Sequence, residues 1–232
     1  MNEFSNDNKY GFKRSEDEEW FVVHDGAVTN TNPGSMVYVT INTTPICENM
    51  TNKEFREIVR DILQRAIPLV DKRVAALRMW SPSERARVQR WFGRSDESAH
   101  MILLNGLPRV ATVLRSLTPG NFVRASAEQD RVLGCMPNPV GAEQEAAHVC
   151  APDTATHTIS ISPKFCSMRH WSADSDSRVS TVIHEVTHFF DTMATKDSKH
   201  IIAYTLRDWA QENSDLAINN ADSVAGYIVE GD

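Results

Sequence analysis

The sequence predicts a helix-rich α+β domain with a small, mostly antiparallel sheet. Three observations lead there. Apolar residues recur at three- and four-residue steps over much of the chain, the spacing of one helix face. Short β-branched runs sit beside Pro, Gly and Asn turns. Nothing repeats, and no linker rich in Gly, Ser or Pro divides the 232 residues, a length that suits one domain. Composition agrees, since 41% hydrophobic and 24% charged residues are ordinary for a chain with a packed core.

Charge and hydropathy narrow the partners. With 31 acidic against 24 basic side chains the net charge is −7, so a nucleic-acid role would need a local basic patch against a repulsive field, and no nucleic-acid partner is expected. No apolar run approaches the ~20 residues of a bilayer span, so no membrane partner is expected. Met1 to Tyr10 lacks the basic start and apolar stretch of a secretory signal, so the expectation is export without a recognisable N-terminal signal peptide.

Element by element, residues 1–19 are polar and carry the charged run Arg14-Ser-Glu-Asp-Glu-Glu19; they read as a flexible arm, and 20–232 as the single folded domain. Trp20-Phe-Val-Val23 and Met36-Val-Tyr-Val-Thr-Ile41 read as strands. Phe55, Ile58, Val59, Ile62, Leu63, Ala66, Ile67 and Val70 mark an amphipathic helix over 51–74, with Pro68 inside it as a place for a kink. Ser81-Pro-Ser-Glu84 supplies an N-cap, a first-turn proline and a capping-box glutamate for a helix through Phe92. Asp96 or Ser98 opens the next, toward Leu117. After Thr118-Pro-Gly120 the texture turns to strands at 121–125, 147–150 and 157–162, the last two joined as a hairpin by the turn 151–156. Val179, Val182, Ile183, Val186, Phe189 and Phe190 then mark a helix from about 177 to 193, and a last helix runs from about 214 to 229.

The chemistry lies in the first of those two helices. Residues 184–188 read His-Glu-Val-Thr-His, and positions i and i+4 of a helix lie one turn apart on one face, so His184 and His188 can converge on one cation. Glu185, rotated by one residue, can reach a water at that cation without ligating it, as a general base must. A hydrolytic zinc site usually takes one more protein ligand. Spacing leaves Asp197, Glu212 and His200 open for it, while Asp191, expected on the same helix, suits an outer hydrogen-bonding role.

His184-Glu-Val-Thr-His188 followed by Ala194-Thr-Lys-Asp197 resembles the aspzincins, the deuterolysin and peptidyl-lysine metalloendopeptidase family, whose signature joins His-Glu-x-x-His to Gly-Thr-x-Asp-x-x-Tyr. Ala147-His-Val-Cys150, Thr158 to Cys166 and Ile218-Asn-Asn-Ala-Asp222 are similar too, so the likeness spans about 135–230. It implies a zincin-like fold and a zinc-dependent endopeptidase with one Zn2+ held by His184, His188 and Asp197. Ala194 stands where the family has glycine. His200 stands where it has the tyrosine that steadies the oxyanion, and Tyr204 is the alternative donor. Asp222 matches the carboxylate that helps lysine members accept a primed-side lysine, but its acidic companion is Ala225 here. The resemblance also implies disulfides Cys150–Cys166 and Cys47–Cys135, hence an oxidising destination.

Rival readings are a thermolysin-like gluzincin, to which Ala217-Ile-Asn-Asn-Ala is similar, and a catalytically silent metal-containing module that holds a polypeptide. In the gluzincin the ligating glutamate would fall at Asn220, a poor ligand, leaving Glu212 as the substitute. Hydrolysis of a peptidoglycan cross-link shares the mechanism, but the acidic net charge disfavours an anionic wall. The expected partners are a protein or peptide substrate and, for an effector protease, a cognate inhibitor or a secretion machinery.

Overall fold

The computed structural model describes residues 44–136, 145–200 and 203–231. The arm 1–19 and the strand-like runs at 20–23 and 36–41 lie outside that range.

Three helices form the scaffold, each bounded by signals next to it in the sequence. Helix α1 (Asn52–Met79) begins at a capping box: the Thr51 hydroxyl accepts from the Glu54 amide at 3.2 Å, and the Glu54 carboxylate accepts from the Thr51 amide at 2.8 Å. It continues through Pro68 and stops at Trp80, whose φ of 45° is left-handed. Helix α2 (Pro82–Phe92) starts at Ser81 and ends at Gly93, where φ is 67°. Helix α3 (Glu97–Ser116) is opened by Asp96, whose carboxylate accepts from the Ala99 amide at 3.1 Å; Ser98 is already inside it. Phe55, Val59, Ile62 and Leu77 of α1 share the buried core with Leu103, Leu107 and Leu114 of α3, which explains the apolar periodicity of both.

The sheet has three strands among the described residues, β1 (Phe122–Arg124), β2 (Ala147–Val149) and β3 (Ile159–Ile161), in the order β1-β3-β2. The expected hairpin is present: β2 runs antiparallel to β3, with Ala147 opposite Ile161 and Val149 opposite Ile159. By contrast β1 joins β3 in parallel, so the described sheet is mixed rather than mostly antiparallel. A parallel pair needs a long crossover, and here the chain between the two passes through α4 (Ala127–Val132) and β2.

Hairpin polarity also corrects the disulfides. They join Cys47 to Cys166 and Cys135 to Cys150, with Cα separations of 5.6 and 5.9 Å, not Cys150 to Cys166 and Cys47 to Cys135. Cys150 follows the last residue of β2, beside the start of β3. Cys166 lies beyond the end of β3, in α5 (Pro163–Ser167), at the opposite end of the hairpin. One bridge therefore ties α5 to the segment before α1, and the other ties the chain after α4 to the end of β2.

Helix α6 (Arg178–His188) packs Val179, Val182, Ile183 and Val186 into the core at 0% exposure. It stops at His188, five residues before the expected end at 193. Phe189 turns inward to full burial with extended ψ, and the Thr192 hydroxyl donates to the carbonyls of Val186 and Phe189 at 2.7 and 2.8 Å, closing the helix. Helix α7 (Ala203–Glu212) was not expected from the sequence. The single helix expected over 214–229 is two, α8 (Ser214–Ala217) and α9 (Ala221–Val229), broken at 218–220. Helix α9 is fastened to the scaffold by the Tyr227 hydroxyl, which donates to buried Glu84, and by Arg73, whose Nε donates to the Tyr227 carbonyl at 3.1 Å. A Cβ on Gly226 would stand 2.2 Å from the Trp91 ring, so α9 approaches α2 as closely as only glycine allows there.

Candidate metal centre

With one face of α6 buried, its next face looks into a cleft of about 750 Å³. His184 and His188 lie on that face, and the chain beyond the helix brings Asp197 back to them. His184 Nε2 and His188 Nε2 each lie close to Asp197 Oδ1, at 3.1 and 3.2 Å, and 3.1 Å from one another. Ligand atoms arranged tetrahedrally at the ~2.0–2.1 Å bond lengths of zinc stand about 3.3 Å apart. The triangle therefore has the size of one face of such a tetrahedron. Among the described residues this is the group of His, Cys, Asp and Glu side chains able to hold a metal ion.

What surrounds the triangle fixes which atoms face it. His184 Nδ1 donates to Asp222 Oδ1 at 2.7 Å, and His188 Nδ1 donates to the Thr195 carbonyl at 3.0 Å. Carbonyl and carboxylate oxygens only accept, so each ring carries its proton on Nδ1 and a neutral ring turns the Nε2 lone pair toward the shared point. Two lone pairs and a carboxylate oxygen on one point repel unless a cation lies between them. The donor set of two imidazoles and one carboxylate with outer hydrogen bonds suits zinc.

The charges make the same demand. Burial works against a charged His184 ring, yet Asp222, Asp197 and Glu185 outweigh it and hold His184 well above its ordinary range. Burial pushes Asp197 up, but the hydrogen bonds and charges of His184 and His188 carry it far below the usual carboxylate range. Asp222, opposed by burial, is held at about 2 by His184 and His200. This is a pocket of negative charge that calls for positive charge, either a protonated imidazole or a cation. Glu185 is 4% exposed and lines the same cleft; its burial raises its pKa, and the two imidazoles only partly offset that.

The other candidates divide. His200 is exposed at the mouth of the cleft, its Nε2 3.9 Å from Asp197 Oδ1 and its Nδ1 3.4 Å from Asp222 Oδ2, so it faces the triangle without joining it. The Tyr204 side chain lies outside the described part of the structure. Glu212 is exposed at the end of α7 and does not line the cleft. Asp191 is corrected too: because α6 ends early, it falls in a turn and pairs with His157 Nε2 at 3.0 Å, away from the triangle. Asp222, matched by resemblance to a substrate-binding carboxylate, has Oδ1 engaged by His184.

Sequence reasoning missed several parts of the site. Thr195 supplies the carbonyl for His188, and its hydroxyl lies 2.7 Å from that of Thr187, which donates to the His184 carbonyl. The threonine before the ligand position in the family signature is the one signal that pointed to it. The sequence likewise gave no sign that His148, on the edge strand β2 and lining the cleft, is held at 2.8 Å by buried Asp130. Ala194, at the family's glycine position, has φ of 51°, so the backbone there keeps the conformation that favours glycine.

A family model described as lysine-specific metallo-endopeptidase, of the aspzincin type, matches residues 79–229. None of the curated proteins matches the chain in sequence. Among solved structures, a zinc peptidase from Grifola frondosa is similar at a TM-score of 0.57 and 17% identity, covering 76% of this chain and 94% of that one. At that identity the likeness speaks for the fold.

Proposed function

This chain belongs to the aspzincin family, the lysine-specific metallo-endopeptidases, and from that premise we propose that His184, His188 and Asp197 hold a single Zn2+ with Glu185 as general base. The family makes the chain a zinc-dependent endopeptidase with protein or peptide substrates. The observation that carries the residue assignment is the convergence of two Nε2 atoms and Asp197 Oδ1 within 3.2 Å of one another.

Bound zinc supplies Lewis acidity, making water more acidic and a peptide carbonyl more electrophilic. Glu185 takes the proton of the attacking water. A buried carboxyl with a raised pKa is suited both to accept that proton and to return it to the leaving amine. His200, or Tyr204 in its place, donates to the oxyanion that develops on the carbonyl. For His200 the donor is Nε2 of the imidazolium, since Nδ1 directs its own proton to Asp222 Oδ2, and Asp222 and Asp197 raise the pKa of the ring. Preference for a primed-side lysine fits the carboxylates Asp222, Asp174 and Asp176, which line one cleft. Because Asp222 Oδ1 stays on His184, a substrate ammonium would share Oδ2 with His200. Two disulfides fit an exported protein at work in an oxidising setting, where a secretion machinery and a cognate inhibitor would be its partners.

Zinc analysis of two variants tests the ligand set. Asp197→Ala should purify without the metal, its two imidazoles keeping only a weak residual affinity, and Glu212→Ala should keep it; the opposite pattern would overturn the assignment. Mapping cleavage sites in a mixed peptide library tests the lysine preference: enrichment of lysine on the primed side supports it, and indifference at that position removes it.

A further inference from the structure

Asn220 occupies the N-cap position of α9, yet its side chain makes no cap to that helix. It is 0% exposed, and its amide is spent on the loop that carries Asp197. Oδ1 accepts from the Lys199 amide at 3.0 Å, and Nδ2 donates to the Lys199 carbonyl at 3.3 Å and to the Ser223 hydroxyl at 3.2 Å. A primary amide that meets both the N–H and the C=O of one residue acts as a second backbone for it. The main chain on either side of Asn220 completes the hold. Lys196 pairs with Asn220 in a parallel bridge, its amide donating to the Asn219 carbonyl at 2.7 Å and its carbonyl accepting from the Ala221 amide at 3.0 Å.

Lys196 and Lys199 bracket Asp197, so one side of that residue is tied to the Asn220 side chain and the other to the main chain that flanks Asn220. The Asp197 side chain is 43% exposed. Little apolar packing holds it, and its direction depends on where the backbone of 196–199 is fixed. Two residues after Asn220, Asp222 fixes the ring of His184. The start of α9 thus reaches two corners of the triangle, while the third, His188, is held from the other side through Thr195.

We infer that Asn220 is a positioning residue for the metal: its amide straps the 196–199 loop to α9 so that Asp197 Oδ1 meets the two imidazoles. The inference rests on the reading of Asp197 as a ligand. It also gives a role to the position at which a gluzincin would carry its ligating glutamate. Here the residue holds the ligand's loop instead.

The test measures zinc affinity of the full chain by chelator competition, together with the visible absorption of the cobalt-substituted protein. The variants are Asn220→Ala, Ser223→Ala, Asp197→Ala and the Asn220→Ala, Asp197→Ala pair. Asn220→Ala should weaken zinc roughly 10- to 100-fold, the range for loss of an outer partner of a ligand, and should dim the cobalt bands. Ser223→Ala removes only one contact of the amide, leaves a foldable chain if Asn220→Ala does not, and should weaken zinc roughly 2- to 10-fold. In the Asp197→Ala background the loss of Asn220 should have no further effect, because the ligand it positions is gone. Equal weakening with and without Asp197 would make Asn220 a general structural residue and overturn the inference, as would wild-type affinity in Asn220→Ala, or in Ser223→Ala if that is the variant that folds. If Asp197→Ala alone binds zinc as the wild type does, the ligand assignment falls first, and the strap with it.

Discussion

In the scaffold of α1, α2 and α3, each helix start is capped from a few residues away: Thr51 with Glu54, Ser81 with Glu84, Asp96 with Ala99. Their buried faces are mainly apolar, with Arg56, Arg73 and Glu84 as the buried charges. Between His184 and Asp222 the partners are farther apart and polar. His188 meets Thr195 seven residues on, Asn220 meets Lys199 across 21, and His184 meets Asp222 across 38. Several of these groups are buried, including His184, Thr187, Thr195 and Asn220. Apolar burial is forgiving of small shifts and supplies stability. Buried hydrogen bonds contribute little net stability but fix direction, because an unmet partner is costly. The scaffold should therefore govern whether the chain folds, and the tract should govern whether it reacts.

The sharpest separation should come from Glu185→Gln. This near-isosteric change should lower hydrolysis of an unfolded protein by roughly 10²–10⁴-fold, the range for a lost general base, while zinc content and melting temperature stay near wild type. Near-normal activity would remove Glu185 from the chemistry. Leu107→Ala probes the other region. Its side chain is fully buried in α3, so the change should cost about 2–5 kcal/mol in denaturant unfolding and leave zinc affinity of the folded fraction unchanged. A comparable loss of zinc affinity would show that the two regions are coupled more tightly than their contacts suggest.

Chelation should act in the reverse direction. Free zinc at 100 times its dissociation constant stabilises the folded chain by about 2.7 kcal/mol, so removal should lower the melting temperature. In hydrogen exchange, protection should fall at 195–199 and at the end of α6, and hold in α1 and α3; uniform loss would erase the distinction. A smaller effect is expected at Ala194, whose φ of 51° favours glycine. Ala194→Gly should change stability by no more than about 1 kcal/mol, upward, since relief of the left-handed strain is set against the greater freedom of unfolded glycine. A clear loss in thermal unfolding would mean that the alanine methyl is needed for packing.

The least effect belongs to a scaffold cap. Arg94 and the Ala99 amide hold Asp96 at about 2, below its ordinary 3.8. A depressed carboxylate stabilises the fold above the unfolded pKa, and that contribution fades as pH falls through the folded one. The stability difference between wild type and Asp96→Asn should therefore shrink between about pH 4 and about pH 2. A constant difference would place the cap's contribution outside its charge.

The same contrast accounts for what could be read from the chain. Thr51, Ser81 and Asp96 announce their helices because a cap and the groups it meets are neighbours in sequence. His184, Glu185 and His188 were legible for the same reason, since helix geometry alone brings i and i+4 together. The early end of α6 was not legible, because Phe189 leaves the helix to reach a core the rest of the chain builds. Nor were the disulfide partners, which depend on which end of a hairpin each cysteine occupies. Asn220 looked like a failed ligand because its partner, the backbone of Lys199, has no side-chain signature. Asp222 matched a substrate-binding position, and only the fold shows that one of its oxygens faces His184.

The central claim is that one metal ion sits where three side chains meet. Crystals of the full chain grown with zinc and measured at the zinc absorption edge would test it most directly. The account predicts one anomalous peak about 2.0–2.2 Å from His184 Nε2, His188 Nε2 and Asp197 Oδ1. A peak ligated by Glu212, or no peak while those three side chains point apart, would contradict it.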